Sequence, residues 1–208
     1  MDLTLWLAFV AASTALLAIP GPTILLVMSY ALSQGRRVAV ASATGVALGD
    51  LIAMTASLAG LGALVLASAT LFTVLKWIGA AYLIWMGLKL WRSAGTATLE
   101  DRTVGDVSAR AVFGHATLVT ALNPKSIVFF IAFVPQFLRP EAPLLPQFAI
   151  LIATFVTLAT LNALLYALLA DRMRAGLRRP AVLRGMTRAG GAALMAMGAA
   201  TALSRRTA

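Results

Sequence analysis

The chain has no cysteine, one histidine and only seven acidic residues among its 208 residues. Without cysteine it forms no disulfide and no thiolate metal site, and it is not a dithiol electron carrier. Charged residues make up 12% of the chain, against about 25% in soluble domains. Hydrophobic residues make up 61% and the mean hydropathy is +0.91. The sequence therefore predicts an integral membrane protein, with the lipid bilayer as its surroundings and no sizeable soluble domain.

The net charge of +10 would suit a nucleic-acid-binding protein, but its distribution argues against one. The basic residues cluster between apolar runs, where the positive-inside rule places them in membrane proteins. We therefore expect no nucleic-acid partner.

Six apolar segments are present, and a helical span needs about 20 residues. They run roughly over Leu3–Leu32, Val38–Leu66, Leu71–Leu90, Ala111–Leu138, Pro146–Ala170 and Ala189–Leu203. The last segment is short for a span. The predicted fold is an all-α, multi-pass membrane protein with six transmembrane helices.

Two of these segments contain helix-breaking residues. Pro20, Gly21 and Pro22 interrupt the first segment, and Asn123-Pro124 interrupts the fourth. Proline lacks the backbone N–H and clashes with the preceding turn, so spans 1 and 4 are predicted to be broken. A break in a bilayer needs other partners for the freed backbone groups. Paired breaks in the two halves of a membrane protein are typical of a transporter's substrate site.

The spacing of the breaks predicts two repeats. Pro22 is followed by Arg36 at nearly the distance that separates Pro124 from Arg139. Three spans per half is an odd number, so the halves must insert with opposite orientation. We expect repeat 1 at about residues 1–92, a linker at about 93–110 and repeat 2 at about 111–208.

The basic residues also predict the orientation. Connections assigned alternately to two sides give one strongly basic side and one weakly basic side. The first collects Arg36, Arg37, Lys89, Arg92, Arg102, Arg110, Arg172, Arg174, Arg178, Arg179, Arg184 and Arg188; the second collects Lys76, Arg139, Arg205 and Arg206. The positive-inside rule then places the first set in the cytoplasm and both termini outside.

Asp50 is the only acid deep inside an apolar segment. An intramembrane carboxylate is costly and usually faces a cavity, a partner or a proton path. Asp50 is therefore predicted to carry a proton or to receive a substrate ammonium. The alternative is a fixed structural pair with Lys125.

The helix that starts after each break is predicted to help bind a carboxylate. Pro22 suits the first turn of a new half-helix, whose free N–H groups around Gly21 and Thr23 favour an anion. After the second break, Asn123 can cap the helix, Pro124 can occupy its first turn and Lys125 adds a positive charge. The alternative is a simple kink, with Lys125 extending toward water.

The remaining polar residues allow several interpretations. Asn162 and Tyr166, four residues apart on one helix face, line a cavity or form hydrogen bonds between spans. Gly45 and Gly49 favour close helix packing. The sequence shows no metal-ligand cluster, nucleophile–base arrangement or phosphate loop. We therefore expect no enzyme, no cofactor and no metal site.

Four motifs, in order, resemble those of the lysine/homoserine/threonine exporter family of bacteria (LysE/RhtB type). They are Pro20-Gly21-Pro22 with Gly35-Arg36; Gly45 to Asp50; Lys76 to Leu83 with Gly87 and Trp91; and Asn123-Pro124-Lys125 with Phe129-Phe130 and Pro135-Gln136-Phe137. They cover about residues 1–140, and the final third matches only in hydropathy and length.

The resemblance implies an inner-membrane efflux permease that exports amino acids or close derivatives as a proton antiporter. Thr23 stands where some members carry an acidic or amide residue, which favours neutral or hydroxylated amino acids. Two alternatives stay open, namely a transporter of another small solute, such as a metal ion, and a membrane assembly subunit without transport. A homo-oligomer is compatible with these features, but the sequence does not decide the oligomeric state.

Overall fold

The computed structural model describes residues 1–34, 36–67, 69–94, 107–139, 141–177 and 180–203, and every regular element within these ranges is helical. The helices are α1 (Leu3–Ala18), α2 (Pro22–Gln34), α3 (Arg36–Ala67), α4 (Ala69–Ser93), α5 (Ala109–Ala121), α6 (Pro124–Val128), α7 (Leu144–Leu177) and α8 (Pro180–Leu203). The predicted all-α class is confirmed. Outside the described residues lie Gly35, linker residues 95–106 with Arg102, and Arg178, Arg179, Arg205 and Arg206, together with the side chains of Pro22, Arg36, Arg37, Arg172 and Arg174.

The first predicted break separates α1 from α2. Helix α1 begins after Asp2, whose carboxylate accepts a hydrogen bond from the Thr4 amide at 2.8 Å and so caps the first turn. It ends at the Ile19-Pro20 step, and α2 then starts at Pro22 with its axis turned by 56° from that of α1. The break lies where the sequence predicts it because neither proline can continue the helix.

The second predicted break separates α5 from α6. Helix α5 starts after Ser108, whose hydroxyl accepts from the Ala111 amide at 3.2 Å. Asn123 caps α6 by accepting from the Lys125 amide at 3.0 Å, and Pro124 occupies the first turn. The axis turns by 40° at this point. The predicted cap and break are both present.

The helix that starts at α6 continues into irregular turns that build the aromatic part of the core. A π-helical turn covers Phe129–Phe133 and a 3-10 turn covers Val134–Phe137. Phe130 packs on Phe155 of α7 at 4.8 Å between ring centroids, and Phe9 of α1 packs on Phe137 at 5.4 Å. These contacts join α1 and α7 to the turns that follow α6.

By length and hydropathy, α3 and α7 are each long and apolar enough to cross a membrane. The pairs α1–α2 and α5–α6 bring the number to four if each bent pair is one span. Within the described ranges α4 and α8 do not meet this criterion, so the count of six spans stays a prediction. Helix α8 begins at Pro180, nine residues before the predicted Ala189. The prediction was short because Arg184 and Arg188 lower the hydropathy, although arginine is a good helix former.

Glycines allow the two halves of the chain to pack closely. A Cβ atom added to Gly49 of α3 would lie 2.6 Å from the Thr120 Cβ of α5, and one added to Gly45 would collide with the Phe113 carbonyl. Between α4 and α8, a Cβ added to Gly87 would lie 2.5 Å from the Gly191 carbonyl oxygen. The predicted close packing at Gly45 and Gly49 is confirmed.

Candidate functional site

The two helix breaks contribute to the wall of one small cavity. Its volume is about 30 Å³, which leaves room for no more than a few water molecules. Apolar residues of α1, α2, α3 and α7 form part of the wall. The polar residues of the wall are Thr23, Asp50, Thr120, Asn123, Lys125 and Ser126, and Gly21 contributes backbone.

The two prolines remove the i+4 donors of two carbonyl groups near the end of α1, and one of these, that of Leu16, keeps a long bond of 3.4 Å from the Ile19 amide. In an α-helix the carbonyl of residue i accepts from the amide of residue i+4. The donors for the carbonyls of Leu16 and Ala18 would be Pro20 and Pro22, which have no N–H. In a bilayer these carbonyls need other partners.

Lys125 supplies one set of partners. Its Nζ donates to the carbonyl oxygen of Leu16 at 3.1 Å and to that of Ile19 at 3.2 Å. The carbonyl end of a helix carries a partial negative charge, so a cation is favourable here. A Cβ atom on Gly21 would lie 3.3 Å from Nζ, so glycine at this position leaves room for the ammonium. The Lys125 side chain therefore ends at the break of the first span.

Two neutral donors from α7 complete this end of α1. Asn162 Nδ2 donates to the Leu17 carbonyl at 3.0 Å, and the Tyr166 hydroxyl donates to the Ala18 carbonyl at 3.0 Å. Of the two interpretations that the sequence left open, the structure shows hydrogen bonds between helices, from α7 to α1. In the part of the chain that is described, neither side chain belongs to the cavity wall.

Thr23 joins the two breaks through its hydroxyl. Its Oγ1 accepts a hydrogen bond from Asn123 Nδ2 at 3.3 Å and one from Thr120 Oγ1 at 3.4 Å. All three side chains are buried. A hydroxyl at position 23 therefore connects the start of α2 to the α5–α6 break.

Asp50 lies in the cavity wall and is 3% exposed. Its carboxylate receives no hydrogen bond from the residues that the structure describes, and no cationic side chain among them lies within 4.0 Å. The opposite charge of Lys125, in the wall of the same cavity, attracts it without direct contact. The structure thus lacks the direct Asp50–Lys125 ion pair that the sequence left open.

Not every residue of the predicted site lines the cavity. Pro20 is outside the wall, and Pro124 is exposed in the first turn of α6. Sequence reasoning missed Thr120 and Ser126, both buried in the wall. The only sequence feature that could have pointed to these two residues is their proximity to Asn123 and Lys125 along the chain. A lone hydroxyl residue in an apolar helix is a weak indication, because it often bonds within its own helix.

Comparison with protein families identifies the class of this chain. The model of the family described as LysE type translocator matches residues 6–205. The chain belongs to the LysE type translocator family. A translocator family is one of transporters and not of enzymes, so the predicted transporter class is confirmed. The match also corrects the expected extent of the resemblance, because it continues past residue 140 through the final third.

Two of three relatives of this translocator are named as efflux proteins. A homoserine/homoserine lactone efflux protein of Salmonella typhimurium is 38% identical, with 96% of this chain and 97% of the relative covered. An uncharacterized membrane protein of Vibrio cholerae is 35% identical, with 95% and 96% covered. A leucine efflux protein of Salmonella choleraesuis is 32% identical over 60% of this chain and 59% of the relative. No solved structure matches the chain.

Proposed function

We propose that this translocator exports neutral amino acids or close derivatives, hydroxylated ones above all, across the bacterial inner membrane in exchange for protons. A relative that matches nearly the whole chain is named for homoserine and its lactone, and a more partial match is named for leucine. Homoserine and leucine both have an uncharged side chain. The hydroxyl of Thr23 in the cavity wall, in place of an acid, fits such substrates.

The observation that carries this proposal is the pair of opposite charges in one cavity. An amino acid has an ammonium and a carboxylate, and the wall contains the Asp50 carboxylate and the Lys125 ammonium. In the proposed complex the substrate carboxylate meets Lys125 and the helix starts at Gly21–Thr23 and Asn123–Lys125. Its ammonium approaches Asp50, which also carries the proton.

The size of the cavity supports a transport cycle with a closed state. Ligand pockets usually measure about 300–1,000 Å³, so a cavity of about 30 Å³ holds no amino acid until it opens. Contacts join the two broken spans on both sides of it. The Asp2 carboxylate bonds Arg139 at 2.8 Å, and the Tyr30 hydroxyl lies 2.9 Å from His115 Nδ1. Opening toward either side would break one of these contacts.

The packing pattern supports two inverted three-helix repeats, at about residues 1–92 and 111–208. In this arrangement α1–α2, α3 and α4 correspond to α5–α6, α7 and α8. Exchanging the halves turns the α3–α5 packing into α1–α7 packing, and it leaves the α4–α8 and α3–α7 pairs unchanged. All of these pairs are in contact. Helices α4 and α8 are then the third and sixth spans.

We expect the arginine-rich connection before α8 to lie in the cytoplasm. The chain has no cysteine, so a single introduced thiol is the only site for a maleimide. On intact cells, a membrane-impermeant maleimide should label Glu141→Cys and a cysteine at residue 208 but not Arg184→Cys. Both Glu141 and Arg184 are exposed, so a difference in labelling reports the side of the membrane and not the burial of the residue. Labelling of Arg184→Cys from outside would contradict the predicted orientation of the protein in the membrane.

The test of function is counterflow in proteoliposomes. Vesicles loaded with unlabelled homoserine should take up labelled homoserine and threonine, leucine more slowly, and lysine least. Lysine comes last because Lys125 in the cavity wall would repel its side-chain ammonium, and the hydroxylated substrates come before leucine because Thr23 places a hydroxyl in the same wall. Protein-free vesicles are the control. If folded protein catalyses no counterflow of any amino acid, the proposal fails.

The same experiment separates the alternatives. A metal-ion transporter would respond to divalent cations and not to amino acids, and the described residues contain no group of three or more His, Asp or Glu side chains that could hold a metal ion. An assembly subunit would show no counterflow of any solute.

A further inference from the structure

Lys125 occupies the carbonyl end of α1 in the way a bound ligand would. We propose that this end of α1 is a binding site for a primary ammonium group, filled by Lys125 in the closed conformation and by the ammonium of the substrate once the cavity opens. The second half of this statement rests on the proposed function. The site itself does not, because it follows from the geometry of the break.

The break makes carbonyl oxygens available in the middle of a span. Pro20 removes the i+4 donor of the Leu16 carbonyl, which keeps a long bond of 3.4 Å from the Ile19 amide. The chain turns away after Ile19. The Lys125 ammonium donates to both oxygens, at 3.1 and 3.2 Å. Both hydrogen bonds involve a cation at the negative end of a helix, which makes them stronger than bonds between neutral groups.

A second, independent feature points to a cation in the same place. Asp50 is only 3% exposed, lines this cavity and has no hydrogen-bond donor to its carboxylate among the described residues. A primary ammonium has three donors, and Lys125 uses two of them on carbonyl oxygens. A mobile ammonium in the opened cavity would find the same two oxygens, and the buried Asp50 carboxylate in the wall of the same cavity would attract it.

Lys125 is also the donor at this end of α1 that a ligand can replace. Asn162 and Tyr166 bond the neighbouring carbonyls from α7, and neither belongs to the cavity wall. Lys125 does belong to it. A substrate that displaces Lys125 also frees its ammonium, which can then pair with the substrate carboxylate. An amino acid suits this exchange because it has both groups.

The test uses Lys125→Ala, which removes the tethered ammonium and keeps the carbonyl oxygens. We expect the variant to have a lower Tm in detergent than the wild type. Methylammonium chloride should raise this Tm by at least about 2–4 °C more than tetramethylammonium chloride at equal ionic strength. Methylammonium offers N–H donors to the carbonyls and tetramethylammonium offers none. The wild type should respond equally to both salts, because Lys125 already fills the site.

Two variants provide controls. Asn162→Ala removes a neutral donor from the same helix end and keeps Lys125, so methylammonium should have no advantage there. Lys89→Ala removes an exposed lysine that lies over Trp85, far along the chain from the break, and should behave like the wild type. If the two salts shift the Tm of Lys125→Ala equally, the proposed ammonium site at the end of α1 is wrong.

If Lys125→Ala does not survive purification, the two salts can be present from solubilisation onward. The yield of monodisperse protein then replaces Tm as the measurement, and equal yields in the two salts would contradict the proposed ammonium site.

Binding of the substrate through its ammonium has its own measurement. Homoserine should raise the Tm of Lys125→Ala, whereas 4-hydroxybutyrate, which lacks the ammonium, should not; equal effects contradict binding through the ammonium. Absence of counterflow by the wild type would contradict the proposed function alone, since the comparison of salts does not depend on transport.

Discussion

Asp50→Asn should abolish accumulation of substrate against its gradient while exchange down the gradient persists. The substitution keeps the size of the side chain and fixes it in a neutral form, so it can no longer release and bind a proton. Asp50 is the acid in the cavity wall, and no hydrogen bond from the described residues holds its carboxylate. The measurement is uptake into inverted vesicles with and without an imposed pH gradient. We expect complete loss of the response to the gradient.

Glu141→Gln is the matched control, because it removes an exposed acid in a connection outside the cavity. It should respond to the pH gradient like the wild type. Should Asp50→Asn still drive uphill transport at the wild-type rate, Asp50 is a structural residue and the proton path lies elsewhere. Loss of both uphill transport and exchange would instead assign Asp50 to substrate binding without coupling.

Replacing Pro20, Gly21 and Pro22 by alanine should abolish transport and lower stability. Alanine at positions 20 and 22 supplies the i+4 N–H groups that the carbonyls of Leu16 and Ala18 lack, and alanine at position 21 favours the helix, so α1 can continue without a break. The new helical bonds then compete with the donors that now hold these oxygens, Lys125 and Tyr166. A buried polar group left without its partner costs about 1–3 kcal/mol. The variant should still insert, because the apolar length is unchanged.

Counterflow and thermal unfolding in detergent measure these two effects. Pro146→Ala is the control, since Pro146 is exposed in the first turn of α7, where a helix tolerates either residue. The control should transport and unfold like the wild type. If the triple-alanine protein catalyses counterflow at the wild-type rate, the helix break at residues 20–22 is not needed for transport.

Local chemistry made several features predictable from the sequence. Proline has no amide hydrogen wherever it occurs, so the positions of the prolines were enough to locate both breaks. Asn123 before a proline is a helix cap by its own short-range geometry, and the structure shows that cap. Gly45 and Gly49 mark a close helix contact because only glycine leaves the space. The family match from residue 6 to 205 confirms the class that the motifs indicated.

Only the tertiary structure decided which groups complete the broken helix. Lys125, Asn162 and Tyr166 lie between 106 and 148 residues from the carbonyls that they bond. No local pattern states such a pairing, because each of these side chains also has acceptors closer along the chain. Likewise, the sequence left open a direct ion pair between Asp50 and Lys125, and the folded chain keeps them apart in one cavity wall. The prolines determined that α1 would end with carbonyls that lack their i+4 donors. The packing of the second half against the first determined that a lysine would bond one of them.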